Sequence, residues 1–159
     1  MSEGRQEFLQ KIRNRLHHYC SIRERSSAEL REKAFSLELT EPEVEGIVKD
    51  FMEIRIVDDE RFASIYVRSK FIGNKWGKLK IKQGLRIKLK SPSIIDRALA
   101  ELDDEEYAAT IRHLIESKMS RSRKKGLQKE AQIVSYLRSK GFEDSAIWTE
   151  INTYQDNEW

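Results

Sequence analysis

The sequence predicts an all-α protein built from repeated helical units, and three observations support that prediction. The 159 residues include 36% charged side chains but only seven glycines and two prolines, a composition typical of helix-rich chains. Apolar residues recur every three or four positions along most of the chain, as they do on one face of a helix. An acidic motif that opens a helical stripe at residue 58 returns at residue 103, which indicates an internal repeat.

The first repeat is predicted to contain three helices. The first helix is indicated by four apolar residues that share one face: Phe8, Ile12, Leu16 and Tyr19. The second follows a capping segment at residues 25–27, and its apolar stripe is Leu30, Ala34 and Leu37. The third starts at a capping-box spacing between Thr40 and Glu43, with its stripe at Val44, Ile47, Val48 and Phe51.

The second and third repeats each begin at a copy of the acidic motif. Residues 58–63 read Asp-Asp-Glu-Arg-Phe-Ala and residues 103–108 read Asp-Asp-Glu-Glu-Tyr-Ala, so negative charge lies where the positive end of a helix dipole favours it. The stripes that follow are Phe62, Ala63, Tyr66 and Lys70, and then Ile111, Leu114, Ile115 and Met119. Ser91 and Pro92 are predicted to start one further helix, and Gly141 to end another whose stripe is Leu127, Ala131, Val134 and Leu137. Ile147 and Ile151 indicate a last short helix.

The predicted organisation is three tandem three-helix repeats and a tail. Repeat 1 covers residues 1–57, repeat 2 residues 58–102 and repeat 3 residues 103–153, and residues 154–159 form an acidic tail. Each repeat is too small to bury its own apolar face, so stacked repeats are expected to bury one continuous core.

One segment has a competing interpretation. Residues 78–82 and 85–90 alternate apolar and basic side chains around Gly84, which on pattern alone predicts a basic β-hairpin. A helix keeps Ile81, Leu85 and Leu89 on one face and leaves Leu79 and Ile87 off it. Helix is preferred, because an isolated two-stranded hairpin is marginal and no other segment alternates.

The residues give little support for catalysis or for a bound cofactor. Residues 73–78 resemble a phosphate loop, but three residues separate the glycines where four are needed, and Leu79 stands where a magnesium-binding Ser or Thr is required. The acidic pairs at 58–59 and 103–104 are better explained as helix caps than as catalytic carboxylates. The sequence therefore predicts a protein that is not an enzyme, with no catalytic residues and no cofactor.

Metal binding, redox chemistry and membrane insertion are not expected either. The three histidines have no carboxylate or cysteine at metal-ligand spacing, and Cys20 is interpreted as a small buried apolar residue. The start of the chain resembles neither a signal nor a transit peptide, and no apolar run approaches the roughly 18 residues of a membrane span. A cytoplasmic protein with no membrane partner is expected.

Cationic residues are concentrated in two acid-free runs, although the formal net charge is only +3. The first basic run lies within residues 64–95, and the second covers residues 118–129. If these runs lie along one side of a stack, they form a basic face for phosphates or an acidic protein. The candidate binding residues on this face are Lys75, Trp76, Lys78, Lys80, Lys82, Arg86, Lys88, Lys90, Arg121, Arg123, Lys124, Lys125 and Lys129. An ordinary solvated helix face is the competing interpretation, and Trp76 suits a binding aromatic and a core aromatic equally well.

Four ordered motifs resemble the RecX family of recombinase regulators. They are the acidic motif at residues 58–63, a Trp-Gly-Lys segment from Trp76 to Leu85, the spacing from Leu137 to Gly141-Phe142, and the segment from Arg23 to Leu30. The resemblance covers the chain from about residue 16 to residue 151. Two departures are Gly84, where the family often has a good helix former, and Leu89-Lys90-Ser91, where it usually has a glycine turn.

The resemblance implies three three-helix repeats in an elongated, curved, right-handed array that binds the RecA recombinase in the groove of its filament on DNA. Such a protein lowers ATP hydrolysis, strand exchange and co-protease action in DNA repair and recombination. A stand-alone nucleic-acid-binding module is the main alternative from the charge pattern, with DNA contacted directly. A helical scaffold that binds only protein is a third.

Overall fold

The structure is a computed structural model that describes residues 2–154 and residue 159. Within those residues the secondary structure is α-helical, with no strand, so the predicted all-α class is confirmed. The helices are α1 (Glu3–Ile22), α2 (Ser27–Phe35), α3 (Glu41–Glu53), α4 (Asp59–Asn74), α5 (Lys78–Lys88), α6 (Pro92–Ala100), α7 (Asp104–Arg121), α8 (Gly126–Ser139) and α9 (Asp144–Ile151). Most of the predicted acidic tail, residues 155–158, lies outside the described residues.

The chain divides into two compact units. Unit 1 comprises Met1–Ala63 and Arg86–Ile95, and unit 2 comprises Ser64–Leu85 and Asp96–Trp159. The predicted repeat boundaries after residues 57 and 102 fall in the turns that precede α4 and α7. The division into three repeats stays a prediction.

The core of unit 1 is formed by the predicted stripes of α1, α2 and α3. Its fully or nearly fully buried residues are Ile12, Leu16, Leu30, Ala34, Val44, Ile47, Val48, Phe51 and Val57. Capping boxes start α2 and α3, where Ser26 pairs with Glu29 and Thr40 pairs with Glu43, as the spacing predicts. The packing of α1 against α3 is extended by the His17 ring, 4.6 Å from the Phe51 ring.

Aspartate caps begin the two helices that follow the acidic motif. The Asp58 carboxylate accepts from the Arg61 amide at 3.0 Å, and the Asp103 carboxylate accepts from the Glu106 amide at 2.9 Å. Each carboxylate satisfies an amide that has no partner within its own helix. The capping interpretation of these acids is therefore confirmed.

Residues 78–88 form helix α5, which confirms the preference for helix over hairpin. Ile81 and Leu85 are buried on one face, whereas Leu79 is 51% exposed and Ile87 is 85% exposed. The period of two is thus an accident of where the lysines fall on a helix. Gly84 has a packing reason, because a Cβ there would lie 2.1 Å from the Tyr66 hydroxyl.

The core of unit 2 includes buried residues of α7, α8 and α9: Tyr107, Ile111, Leu114, Ile115, Ile133, Val134, Leu137, Ile147 and Ile151. The predicted stripe of α8 is wrong at its start, because Leu127 is 82% exposed and Ala131 is also exposed. The first buried residue of α8 is Ile133, so the first two turns of this helix contribute nothing to the core. Gly141 follows α8 at φ +93°, as the predicted stop requires.

Candidate interaction surface

Two turns of unit 2 are joined through their backbones beside the first basic run. The Gly77 amide donates to the Lys140 carbonyl at 2.8 Å, and the Leu79 amide donates to the Gly141 carbonyl at 2.9 Å. Neither glycine tolerates a side chain, since a Cβ on Gly77 would lie 2.4 Å from the Gly141 backbone and one on Gly141 would lie 2.3 Å from the Lys80 Cβ. The turn before α5 and the turn after α8 are therefore fixed against each other.

Tyr107 supports this junction from α7. Its hydroxyl accepts from the Lys78 amide at 2.9 Å and donates to the Glu143 carboxylate. Its ring lies between Phe71 and Phe142, at 5.8 Å and 5.4 Å from their ring centroids. Burial, followed by the hydrogen bond to Glu143, raises the pKa of Tyr107 well above its usual value, so the phenol stays a neutral donor.

Four lysines lie close together at this junction, and two of them lie over the Trp76 ring. The Lys80 ammonium lies 4.7 Å from the Trp76 ring centroid and the Lys70 ammonium lies 5.0 Å from it. The Lys140 ammonium donates to the Asn74 carbonyl at 2.6 Å. Burial lowers the pKa of Lys140, and repulsion from Lys80 and Lys75 lowers it further. Lys70, Lys75, Lys80 and Lys140 are called the lysine cluster below.

The structure places Trp76 between its two predicted roles. The indole is half-buried, directly before α5, and its backbone amide donates to the Lys70 carbonyl at 3.1 Å. It is neither a fully buried core residue nor a bare stacking platform, because two ammonium groups already lie over the ring. Its visible role is to hold Lys70 and Lys80 in place.

Several other candidate cations already have partners. Lys82 pairs with Asp96 at 3.3 Å, and Lys88 lies 3.8 Å from the Glu29 carboxylate. The Lys78 ammonium lies 4.9 Å from the Tyr107 ring. These contacts reduce the charge that Lys82 and Lys88 offer to a partner.

The remaining cations of the first run are open to solvent. Arg86 and Lys90 are exposed, and so is Lys75, which follows α4 in a left-handed conformation with φ 55°. Left-handed backbone at a helix end favours glycine or asparagine, so Lys75 is held there by its surroundings at a cost of about 1 kcal/mol.

The second basic run occupies the end of α7 and the turn before α8. Arg121, Arg123, Lys124 and Lys125 are exposed, and Lys129 is half-buried on α8. Helix α8 starts without a side-chain cap, because the residue at its N-cap is Lys125. The run is therefore a solvated cationic surface with Leu127 exposed beside it.

The lysine cluster contains two residues that are not among the predicted binding residues, Lys70 and Lys140. Lys70 lies in the first basic run, one helix turn before Trp76, whereas Lys140 is distant in sequence and reaches the cluster through the Gly77–Gly141 junction. Only the pairing of the Trp-Gly and Gly-Phe motifs could have signalled Lys140, because no short-range spacing connects them.

Residues of the acidic motif also connect two turns of unit 1. The Asp59 carboxylate accepts from the Ser27 amide at 2.7 Å and so caps α2 from a distance in sequence. Arg61 pairs with Glu24 at 2.8 Å and donates to the Ile56 carbonyl at 3.2 Å. The turns before α2 and α4 are therefore connected by residues of the motif itself.

The described part of the chain has no group of three or more His, Cys, Asp or Glu residues placed to hold a metal ion. Cys20 is half-buried against the unit 1 core, and burial raises the pKa of its thiol. None of the helices in residues 2–154 combines the length and the apolar character that crossing a bilayer requires.

Comparison with known proteins identifies relatives of one family. Residues 58–99 match the family description "RecX, second three-helix domain". "Regulatory protein RecX" of Clostridium acetobutylicum is 30% identical over 132 residues, which are 80% of this chain and 59% of that protein. The protein of the same name from Halalkalibacterium halodurans is 29% identical over 157 residues, or 95% of this chain and 59% of that protein. The chain thus spans about three fifths of the length of these two relatives.

Solved structures give the same result for the fold. The crystal structure of RecX from Lactobacillus salivarius superposes with a TM-score of 0.88 at 26% identity, covering 93% of this chain and 97% of that one. A second crystal structure, of a regulatory protein RecX, gives a TM-score of 0.81 at 27% identity, with 92% and 72% covered. The helices described above, their motifs and these likenesses agree: along most of its length the chain is similar to RecX regulatory proteins, and residues 58–99 match that family's second three-helix domain.

Proposed function

We propose that this chain regulates a RecA-type recombinase by binding its filament on DNA, and that it lowers ATP hydrolysis, strand exchange and co-protease activity. It would act in the cytoplasm, in DNA repair, recombination and the SOS response. The relatives named regulatory protein RecX support the regulatory class, and the exposed cations support a partner that carries phosphates.

A binding role fits the chemistry of the described residues better than a catalytic one. Of the acidic pairs that could have served as general acids and bases, Asp58 caps α4, Asp103 caps α7 and Asp59 caps α2. The one thiol, Cys20, has a raised pKa and so is a poor nucleophile. A protein that regulates a filament by binding to it needs no catalytic side chain.

The single observation that carries the proposal is the exposed, unpaired part of the predicted basic face. Lys75, Arg86 and Lys90 are exposed, and none of them forms an ion pair within the described residues. Cations of this kind attract a polyanionic filament and set its association rate. The other predicted contacts, including the three-repeat arrangement that would present them, belong to the same proposal.

The test is the DNA-dependent ATPase of RecA on single-stranded DNA with increasing amounts of this protein. Inhibition is expected to saturate near stoichiometric protein, and a Lys75→Glu, Arg86→Glu, Lys90→Glu variant is expected to lose it. The matched control changes the same charge at Lys11, Arg15 and Lys49, which are exposed on α1 and α3. The control should inhibit almost as well as the native protein. Unchanged ATPase with the folded native protein would overturn the proposal.

A stand-alone nucleic-acid-binding module is the second candidate, and the lysine cluster favours it. In that case the protein binds DNA without RecA, with an affinity that falls steeply as salt is raised. DNA affinity combined with no effect on RecA ATPase would select this candidate.

A further inference from the structure

We propose that the lysine cluster of unit 2 is a binding site for the phosphodiester backbone of DNA. The inference rests on the proposed function for its biological setting, because it assigns the DNA part of a recombinase filament to one place on the chain. It is nevertheless testable on DNA alone.

The first argument is unbalanced charge. Lys70 and Lys80 lie over one half-buried indole, and Lys140 lies close enough to Lys75 and Lys80 to be repelled by them. None of the four forms an ion pair within the described residues. The nearby carboxylates of the turn after α8 are already engaged. Glu143 accepts from Tyr107, and Asp144 pairs with Arg138 at 2.8 Å. The cluster therefore carries an excess of positive charge that attracts an anion from outside the chain.

The second argument is crowding. Repulsion from Lys80 and Lys75 contributes to the lowered pKa of Lys140, so the ammonium groups are close enough to disfavour one another. A bound anion would relieve that repulsion. The binding energy would then include both the new attraction and the loss of the existing repulsion.

The third argument is that the cluster is held in place before any ligand arrives. Lys70 and Lys80 lie over the Trp76 ring, and the Lys140 ammonium is anchored on the Asn74 carbonyl. The turns that carry Trp76 and Lys140 are fixed by backbone hydrogen bonds. Long flexible side chains ordinarily lose conformational entropy on binding, and a fixed cluster loses less.

The fourth argument is the spacing of the charges. The lysine cluster contains compact ammonium groups, which bind phosphate oxygens as point charges and do not need the fixed geometry of an arginine fork. The distances from the indole place the Lys70 and Lys80 ammonium groups within about 10 Å of each other, so neighbouring phosphates of one strand could be contacted together.

The experiment measures binding of a labelled oligothymidylate, without RecA, by fluorescence anisotropy between 50 and 200 mM salt. Loss of one phosphate contact lowers affinity at 50 mM salt by about tenfold and the salt slope by about 0.7. A Lys80→Gln variant and a Lys140→Gln variant are each expected to show these losses. A Lys49→Gln variant removes the same charge from α3 and is expected to change affinity by less than about twofold.

Three results would overturn the inference. They are no DNA binding by the native protein, cluster variants that bind like Lys49→Gln, and competition by polyglutamate as effective as competition by unlabelled oligonucleotide. Far-ultraviolet circular dichroism of each variant shows that it is folded, and the Lys→Gln changes keep the aliphatic stems in place. Equal losses for double-stranded DNA would show that the shared backbone is the ligand, as proposed.

The two proposals fail separately. Inhibition of RecA by native protein together with cluster variants that bind DNA normally would reject the lysine cluster and keep the regulatory function. Cluster-dependent DNA binding without any effect on RecA would reject the regulatory function and keep the cluster.

Discussion

A Gly141→Ala substitution tests the junction that organises the lysine cluster. The residue has φ +93°, where a side chain costs about 1–2 kcal/mol in backbone strain. The added Cβ would also lie 2.3 Å from the Lys80 Cβ and 2.6 Å from its amide nitrogen, so α5 must move away. Movement of α5 removes the Gly77–Lys140 and Leu79–Gly141 backbone hydrogen bonds, each of which contributes about 0.5–1.5 kcal/mol.

These contributions predict a loss of about 2–5 kcal/mol in the free energy of unfolding, a large part of the 5–15 kcal/mol typical of a domain. The assay is urea denaturation followed by circular dichroism. Gly46→Ala is the control, because Gly46 lies inside α3 and a Cβ there meets nothing within 4 Å. The control should gain up to about 1 kcal/mol from helix propensity. A loss below about 1 kcal/mol for Gly141→Ala would refute the proposed rigidity of the junction.

Three further predictions concern caps, pH and the core. Asp103→Ala should lower the free energy of unfolding by about 1 kcal/mol in urea denaturation, because the α7 cap is lost, and an unchanged midpoint would contradict that role. Arg5 holds the pKa of Glu43 at about 2, below its ordinary value of 4.5, so this pair stabilises the fold above pH 4.5 and its contribution is lost as the pH falls toward 2. A Glu43→Gln variant should show a shallower acid dependence of stability than the native protein, and parallel curves would count against the assignment. Phe142→Ala should lower the free energy of unfolding by about 3–5 kcal/mol, because this residue is only 1% exposed. Ile87→Ser, at an 85% exposed site, should change it by less than about 0.5 kcal/mol. Similar losses from both changes in urea denaturation would contradict the difference in burial.

Local features of the fold could be predicted because their causes are local. A Ser or Thr followed three residues later by Glu satisfies two helix amides from within four residues, so the starts of α2 and α3 are visible in sequence. The alternating pattern of the α5 segment predicts a β-hairpin, and helix is predicted there only because an isolated two-stranded hairpin is marginally stable. Helix class therefore follows from pattern and local energetics together.

The contacts between helices and turns could not be predicted, because they connect residues far apart in sequence. Nothing near Asp59 shows that its carboxylate caps α2 at Ser27. The Gly77–Gly141 approach likewise depends on how α5 and α8 pack. The stripe assigned to the start of α8 failed at Leu127 because periodicity shows which face a residue shares and not how far the core extends along that face.

The candidate surface was predicted in outline from charge, and the structure separates its members by their partners. Lys82 and Lys88 lie within 4 Å of carboxylates, whereas Lys75 and Lys80 form no ion pair with the acids that the structure describes. Sequence gives the number of cations in a run, but their availability depends on which acids other helices bring close. Lys140 joins the candidate site for the same reason.

Co-sedimentation with RecA filaments is the measurement that tests the central claim most directly. RecA is assembled on single-stranded DNA with a slowly hydrolysed ATP analogue, pelleted, and the bound fraction of this protein is determined. The account predicts saturable recovery with the filament, strongly reduced for the Lys75→Glu, Arg86→Glu, Lys90→Glu variant and nearly native for the Lys11, Arg15 and Lys49 control. Recovery that requires DNA but is the same with and without RecA would contradict the account.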